Sequence, residues 1–112
     1  MNDKPLFVQL MEMIEDNILA DVYTTGGLIM SSTQIVKLYN VNPATAMHAL
    51  SELVDGGVLV KDRGIGMRVT ENAKAIIAKR REHELLNVLL RQLIDEAEKL
   101  GISKEELRRR IT

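Results

Sequence analysis

Three cations, Lys61, Arg63 and Arg68, surround two glycines, Gly64 and Gly66, in the short stretch Lys61-Asp62-Arg63-Gly64-Ile65-Gly66-Met67-Arg68. Ammonium and guanidinium groups bind phosphate through charge-assisted hydrogen bonds, and glycine lets a backbone come close to a ligand. That mixture suits a hairpin reaching into the minor groove of duplex DNA, although glycines are also ordinary turn residues. A second set lies upstream, where Pro43, Ala44, Thr45 and His48 follow Asn42. Such side chains on the outward side of a helix start can read a major groove: threonine meets a phosphate or a thymine methyl, alanine packs on such a methyl, and imidazole donates to a phosphate or a guanine edge. The third set, Ser31, Ser32 and Thr33, offers hydroxyls beside the free amides of a helix N-terminus, a setting for phosphate and equally one for capping alone.

Other chemistry finds no support in the 112 residues. There are no cysteines and two histidines, so neither a disulfide nor a zinc site is expected, and no metal or cofactor is assigned. Aspartates and glutamates are scattered at helix-surface spacing, and Gly64-Ile65-Gly66 lacks the strand-to-helix context of a nucleotide loop. An enzyme is therefore not expected. Met1-Asn2-Asp3-Lys4 opens no apolar run, which argues against a leader or a membrane span and for a cytoplasmic protein. Aromatics are limited to Phe7, Tyr23 and Tyr39, too few for a platform on which single-stranded bases stack. Residues 1–70 hold five basic residues against eight acidic ones, whereas residues 71–112 hold ten against eight. The half with the candidate contacts thus lacks the strong positive charge that draws most nucleic-acid binders to phosphate.

Those contacts need elements to hold them. Phe7, Leu10, Met11, Ile14 and Ile18 recur at three- and four-residue intervals, one face of a helix with Pro5 in its first turn. Tyr23 to Gly27 reads as a loop. Ser31-Ser32-Thr33-Gln34 fits a capping box for a short helix that sends Ile35, Val36, Leu38 and Tyr39 inward. Asn42 and Pro43 suit the N-cap and first position of a third helix, with Ala46, Leu50 and Leu53 to the core and an end at Gly56-Gly57. Val58 to Val60 and Met67 to Val69 pair as a hairpin across the glycine turn.

Beyond Thr70, a candidate cap, a long helix is expected from about Glu71 to Leu100, closed by Gly101. Straight, it would extend about 45 Å. Leu86, Leu89, Leu90, Leu93, Ile94, Ala97 and Leu100 line its distal half. Ser103-Lys104-Glu105-Glu106 reads as another capping box, starting a short helix with Leu107 and Ile111 inward. One short helix cannot hide so long an apolar stripe, so a second copy is expected to cover it and form a homodimer. The runs Arg80-Arg81 and Arg108-Arg109-Arg110 read as solvated faces.

The fold expected is mainly α with a small β-hairpin: a winged helix-turn-helix over 1–70 and a C-terminal two-helix dimerisation hairpin over 71–112. On Val41-Asn42-Pro43-Ala44-Thr45 with Ala49, Leu53 and Gly57, on Pro5-Leu6-Phe7-Val8-Gln9-Leu10, and on the tail Leu100 to Leu107, nearly the whole chain resembles the GntR family, specifically its small YtrA-type subgroup. The sequence departs from the family pattern at Ile29-Met30-Ser31 and Thr33, where a leucine-proline-serine and an arginine are usual. It departs again at His48, where an arginine is common, and at Met67-Arg68, where the wing has threonine-phenylalanine. The resemblance implies a dimeric transcriptional regulator on a roughly palindromic operator, repressing a nearby operon, often for a transporter, under a small-molecule effector. The competing reading is a winged-helix protein-interaction module with weak or lost DNA binding, because the fold serves both uses.

Overall fold

The computed structural model describes residues 3–112; Met1 and Asn2, where the reading of no leader begins, lie outside the described residues. These fall into two compact units, the first running through Ile77 and the second from Ala78 to Thr112.

In the first unit, helix α1 spans Leu6–Leu19, and the Pro5 carbonyl accepts from the amides of Val8 and Gln9. Helix α2, Ser32–Tyr39, starts at the full capping box read from the sequence: Ser31 Oγ accepts from Gln34 N–H while Gln34 Oε1 accepts from Ser31 N–H. It ends at Asn40, whose left-handed backbone turns the chain sharply. Helix α3, Pro43–Asp55, follows directly, with the Asn42 side chain accepting from Ala44 N–H and Pro43 in the first turn, where its missing donor costs nothing. Antiparallel strands β1, Leu59–Asp62, and β2, Gly66–Val69, complete the helix–turn–helix–wing order. Leu10, Ile14 and Ile18 of α1, Ile35 of α2 and Ala46, Ala49, Leu50 and Leu53 of α3 bury together with Val58, Leu59, Val69, Ala73 and Ile77.

Several expectations give way. Leu38 and Tyr39 are exposed, because only Ile35 and Val36 of the short α2 turn toward the core. The loop after α1 supplies a third strand-like edge: Gly26 N–H donates to Val69 O, Val69 N–H to Gly27 O and Ile29 N–H to Met67 O, with Leu28 bridged to Arg68. Thr70 does not cap with its side chain. Its hydroxyl donates to the Gly57 and Val58 carbonyls instead, and helix α4 begins later, as Ala73–Arg81. Nor is the long helix regular, for a π turn over Glu82–Leu86 separates α4 from helix α5, Asn87–Lys99.

The second unit contains that π turn, α5 and helix α6, Lys104–Ile111. Gly101, with φ +72°, turns the chain, and Ile102 N–H donates to Ala97 O. At Ser103 only half of the expected box forms: Oγ accepts from Glu106 N–H, but the Glu106 carboxylate turns forward to Arg109 and Arg110. Those two guanidiniums, Arg109 first, hold its carboxyl below the usual carboxylate range. Leu107 is half-buried, whereas Ile111, in the final turn, is exposed rather than inward. Among the described residues no helix is long and apolar enough to cross a membrane.

Gly57 combines φ +82° with a space in which a Cβ would lie 3.3 Å from Ile76 Cδ1, whereas at Gly64, φ +78°, a Cβ would meet nothing within 4 Å. Gly57→Ala is therefore expected to destabilise the protein by about 1–2 kcal/mol, and Gly64→Ala by less. Urea unfolding of both variants checks this; an equal loss would refute the steric part.

Candidate nucleic-acid interface

The inner face of α3 is given entirely to the core, so its outer face is fixed by exclusion. Ala44, Met47, His48 and Ser51 are exposed there, and Thr45 is half-buried at its edge. Pro43 and Asn42 present a capped, exposed helix start beside them. Ser31 and Thr33 are likewise exposed at the start of α2, with Ser32 half-buried. Ser31 Oγ is used as an acceptor in its cap, which leaves the hydroxyl proton for donation outward.

This face contains no Lys or Arg within α3, and Glu52 lies close by. His48 Nε2 stands 3.5 Å from Glu52 Oε1, one turn along the helix. On its flat side the imidazole stacks on Phe7 of α1, with ring centroids 3.9 Å apart and planes 18° from parallel. Sequence reading missed Phe7 at this face, because helical periodicity assigned it wholly to the core. Met47 and Ser51 were missed too, though both follow from the same helical phase that exposes Ala44 and His48.

The wing divides its three cations. Lys61 and Arg63 are exposed on the hairpin. Arg68 is half-buried and occupied: its Nε donates to Asp62 Oδ2 at 2.6 Å and its Nη1 to the Gly26 carbonyl at 3.0 Å. It therefore ties β1, β2 and the 26–29 edge together. The register explains this, since Val60 pairs with Arg68 and Asp62 lies two residues on along β1, pointing to the same side of the sheet. At the tip, Gly64 and Gly66 adopt φ +78° and +148°, and Ile65 N–H donates to Asp62 O at 2.9 Å. Both glycines are required by their backbone, and Ile65 between them is held out into solvent.

On the second unit, Leu86, Leu89, Leu90 and Leu93 are exposed in a single chain, at 60%, 51%, 47% and 43%, as is Leu100. Ile94 and Leu107 are half-buried, and Ala97 is covered within the chain itself. Leu85, Leu86 and Leu89 join Ala78, Arg81 and Glu82 around an apolar groove of about 370 Å³.

No family model matches the chain. Solved structures do: it is 30% identical to a transcriptional regulator of the GntR family from Bacteroides thetaiotaomicron, with 94% of this chain and 91% of that one covered and a TM-score of 0.75. A GntR family transcriptional regulator from Listeria monocytogenes is 28% identical over 99% of this chain and 96% of its own, with a TM-score of 0.78. The transcriptional repressor YtrA of Bacillus subtilis is 26% identical over 103 residues, which cover 92% of this chain and 78% of that protein.

Because Arg68 is a tie within the fold, Arg68→Ala is expected to cost about 1–2 kcal/mol of stability, by leaving a half-buried carboxylate and a carbonyl without their donor. Lys61→Ala and Arg63→Ala are expected to stay within about 0.5 kcal/mol of the parent. Chemical denaturation of the three variants measures this, and the reverse ranking would refute the assignment.

Proposed function

The chain belongs to the GntR family of transcriptional regulators, with the small YtrA-type architecture, and from that premise we propose that it binds operator DNA as a homodimer and represses a neighbouring operon. The observation that carries the DNA reading is the outer face of α3, left uncovered beside two capped helix starts and an exposed two-cation wing. In this reading the start of α3 enters a major groove. Ala44 packs on a thymine methyl, Thr45 meets such a methyl or a phosphate, His48 donates to a guanine edge or a phosphate, and Pro43 sets the approach. Ser31, Ser32 and Thr33 donate to backbone phosphates from the start of α2. Lys61 and Arg63 follow the adjacent minor groove, while Gly64 and Gly66 allow the backbone near. Arg68 moves from contact to scaffold.

Exposed leucines on the second unit support the homodimer. Because each is already about half covered, burying the rest in a partner would stabilise the pair by about 1 kcal/mol apiece before the costs of association. Leu86, Leu89, Leu90, Leu93, Ile94 and Leu100 form that interface, with Ala97, Leu107 and Ile111 at its margin. Two copies related by a two-fold axis then read half-sites near one helical turn apart, which makes the operator roughly palindromic. As the family resemblance implies, a small-molecule effector alters the angle between the two winged domains. The chain has no catalytic role in this reading, and it acts in the cytoplasm.

Fluorescence anisotropy on a duplex from the chain's own upstream region, against random duplex of equal length, tests the proposal. Preference for the upstream duplex is expected, with a salt dependence shallower than that of a basic repressor. The double variant Lys61→Ala/Arg63→Ala is expected to reduce the slope of log affinity against log salt by about four, one per phosphate contact, with two lost from each copy of the dimer. Equal binding to both duplexes at low salt would remove the regulator reading in favour of an interaction module. Light scattering separately tests the dimer: Leu89→Asp/Leu93→Asp is expected to give the mass of one chain and to weaken operator binding.

A further inference from the structure

We propose that Phe7, in the first turn of α1, is a positioning residue for DNA readout: its stack on His48 fixes the imidazole on the outer face of α3, so that the first helix helps set the sequence preference of the third. The inference rests on the DNA-binding reading of α3.

A histidine on an open helix face ordinarily samples several rotamers, and ordering it on DNA costs side-chain entropy. His48 is not in that situation. Phe7 covers one face of its ring at 3.9 Å and near-parallel geometry, and Glu52 Oε1 stands 3.5 Å from Nε2. With Phe7 against one face and Glu52 beside Nε2, the ring is held from two sides, and its uncovered face and edge are what remain to meet DNA. Phe7 is itself anchored, half-buried against the core formed by α1 and α3, so the clamp belongs to the packed fold and not to a mobile tail. Aligned beforehand, the imidazole loses less on binding, and a misaligned partner gains less from it. The benefit falls on the matched sequence and appears as discrimination, since one aligned ring adds little to general attraction for phosphate.

Wild type, Phe7→Leu, Phe7→Trp, His48→Ala and Phe7→Leu/His48→Ala are compared as full-length chains, on the upstream duplex and on random duplex of equal length. Assays run below every variant's unfolding midpoint. Phe7→Leu is expected to lower the ratio of the two affinities about fivefold, as befits one aromatic stack. Phe7→Trp should largely retain the ratio, and Phe7→Leu should cost nothing further once His48 is alanine. In the free protein, the His48 ring-proton resonances are expected to lose a ring-current shift in Phe7→Leu. If that variant does not fold, Phe7→Met fills similar volume without an aromatic face and takes its place. Multiplying effects of the Phe7 and His48 changes, or His48 resonances that ignore Phe7, would overturn the proposal while leaving the regulator reading intact. A wild type without preference for the upstream duplex would bring down both.

Discussion

Everything in the first unit depends on how closely α3 seats against its neighbours. Ala46 and Ala49 are fully buried, and beside them Leu50 and Leu53 interdigitate with Leu10, Ile14 and Ile18 of α1 and Ile35 of α2. Alanine at the contact lets helices approach closely, and close approach admits few alternative rotations of either one. The consequence is directional. Once the inner face is committed, Ala44, His48 and Ser51 have only one way to point, and Phe7 is brought within stacking distance of a residue far from it in sequence. A larger residue at 46 or 49 would shift that face without touching any group expected to meet DNA.

The parts legible in the sequence were those whose signals are local. Ser31 with Gln34, Asn42 with Pro43, and Gly57 in its left-handed turn each declare a helix boundary within four residues, and all three stand where expected. Periodicity likewise identified the inner faces of α1 and α3, because amphipathic spacing is a property of the element alone. Less legible was whatever depends on a distant partner. Gly26 to Ile29 carries no strand pattern; it becomes an edge because β2 offers unpaired backbone groups there. A lone arginine on a hairpin reads as solvent-facing, and only the β1–β2 register reveals that Arg68 has Asp62 and the Gly26 carbonyl within reach. The π turn at Glu82–Leu86 has no sequence signature comparable to a cap, and it was read as uninterrupted helix.

Positive charge is sparse on the face proposed to meet DNA. Asp62 neutralises Arg68, Glu52 lies against His48, and α3 contributes no basic side chain to its outer face. Long-range attraction to phosphate falls with every such pairing, while short-range fit keeps its full weight. In the proposed mode, a reading head built this way would lean on shape, methyl contacts and aligned hydrogen bonds, and on doubling through a second copy. Its preference among sequences therefore matters more to occupancy than its pull on any duplex at all.

The strand-like edge at 26–29 carries one more implication. A lone two-stranded ribbon is marginal in water, and β2 escapes that condition because both of its edges are paired. One of those partners is the adjacent hairpin strand, but the other arrives from before α2, across much of the unit. Closing that loop costs chain entropy that nearby contacts do not. The second seam of the wing is thus coupled to the helical core, and loosening α1 or α2, between which the 26–29 segment lies, removes a partner from β2.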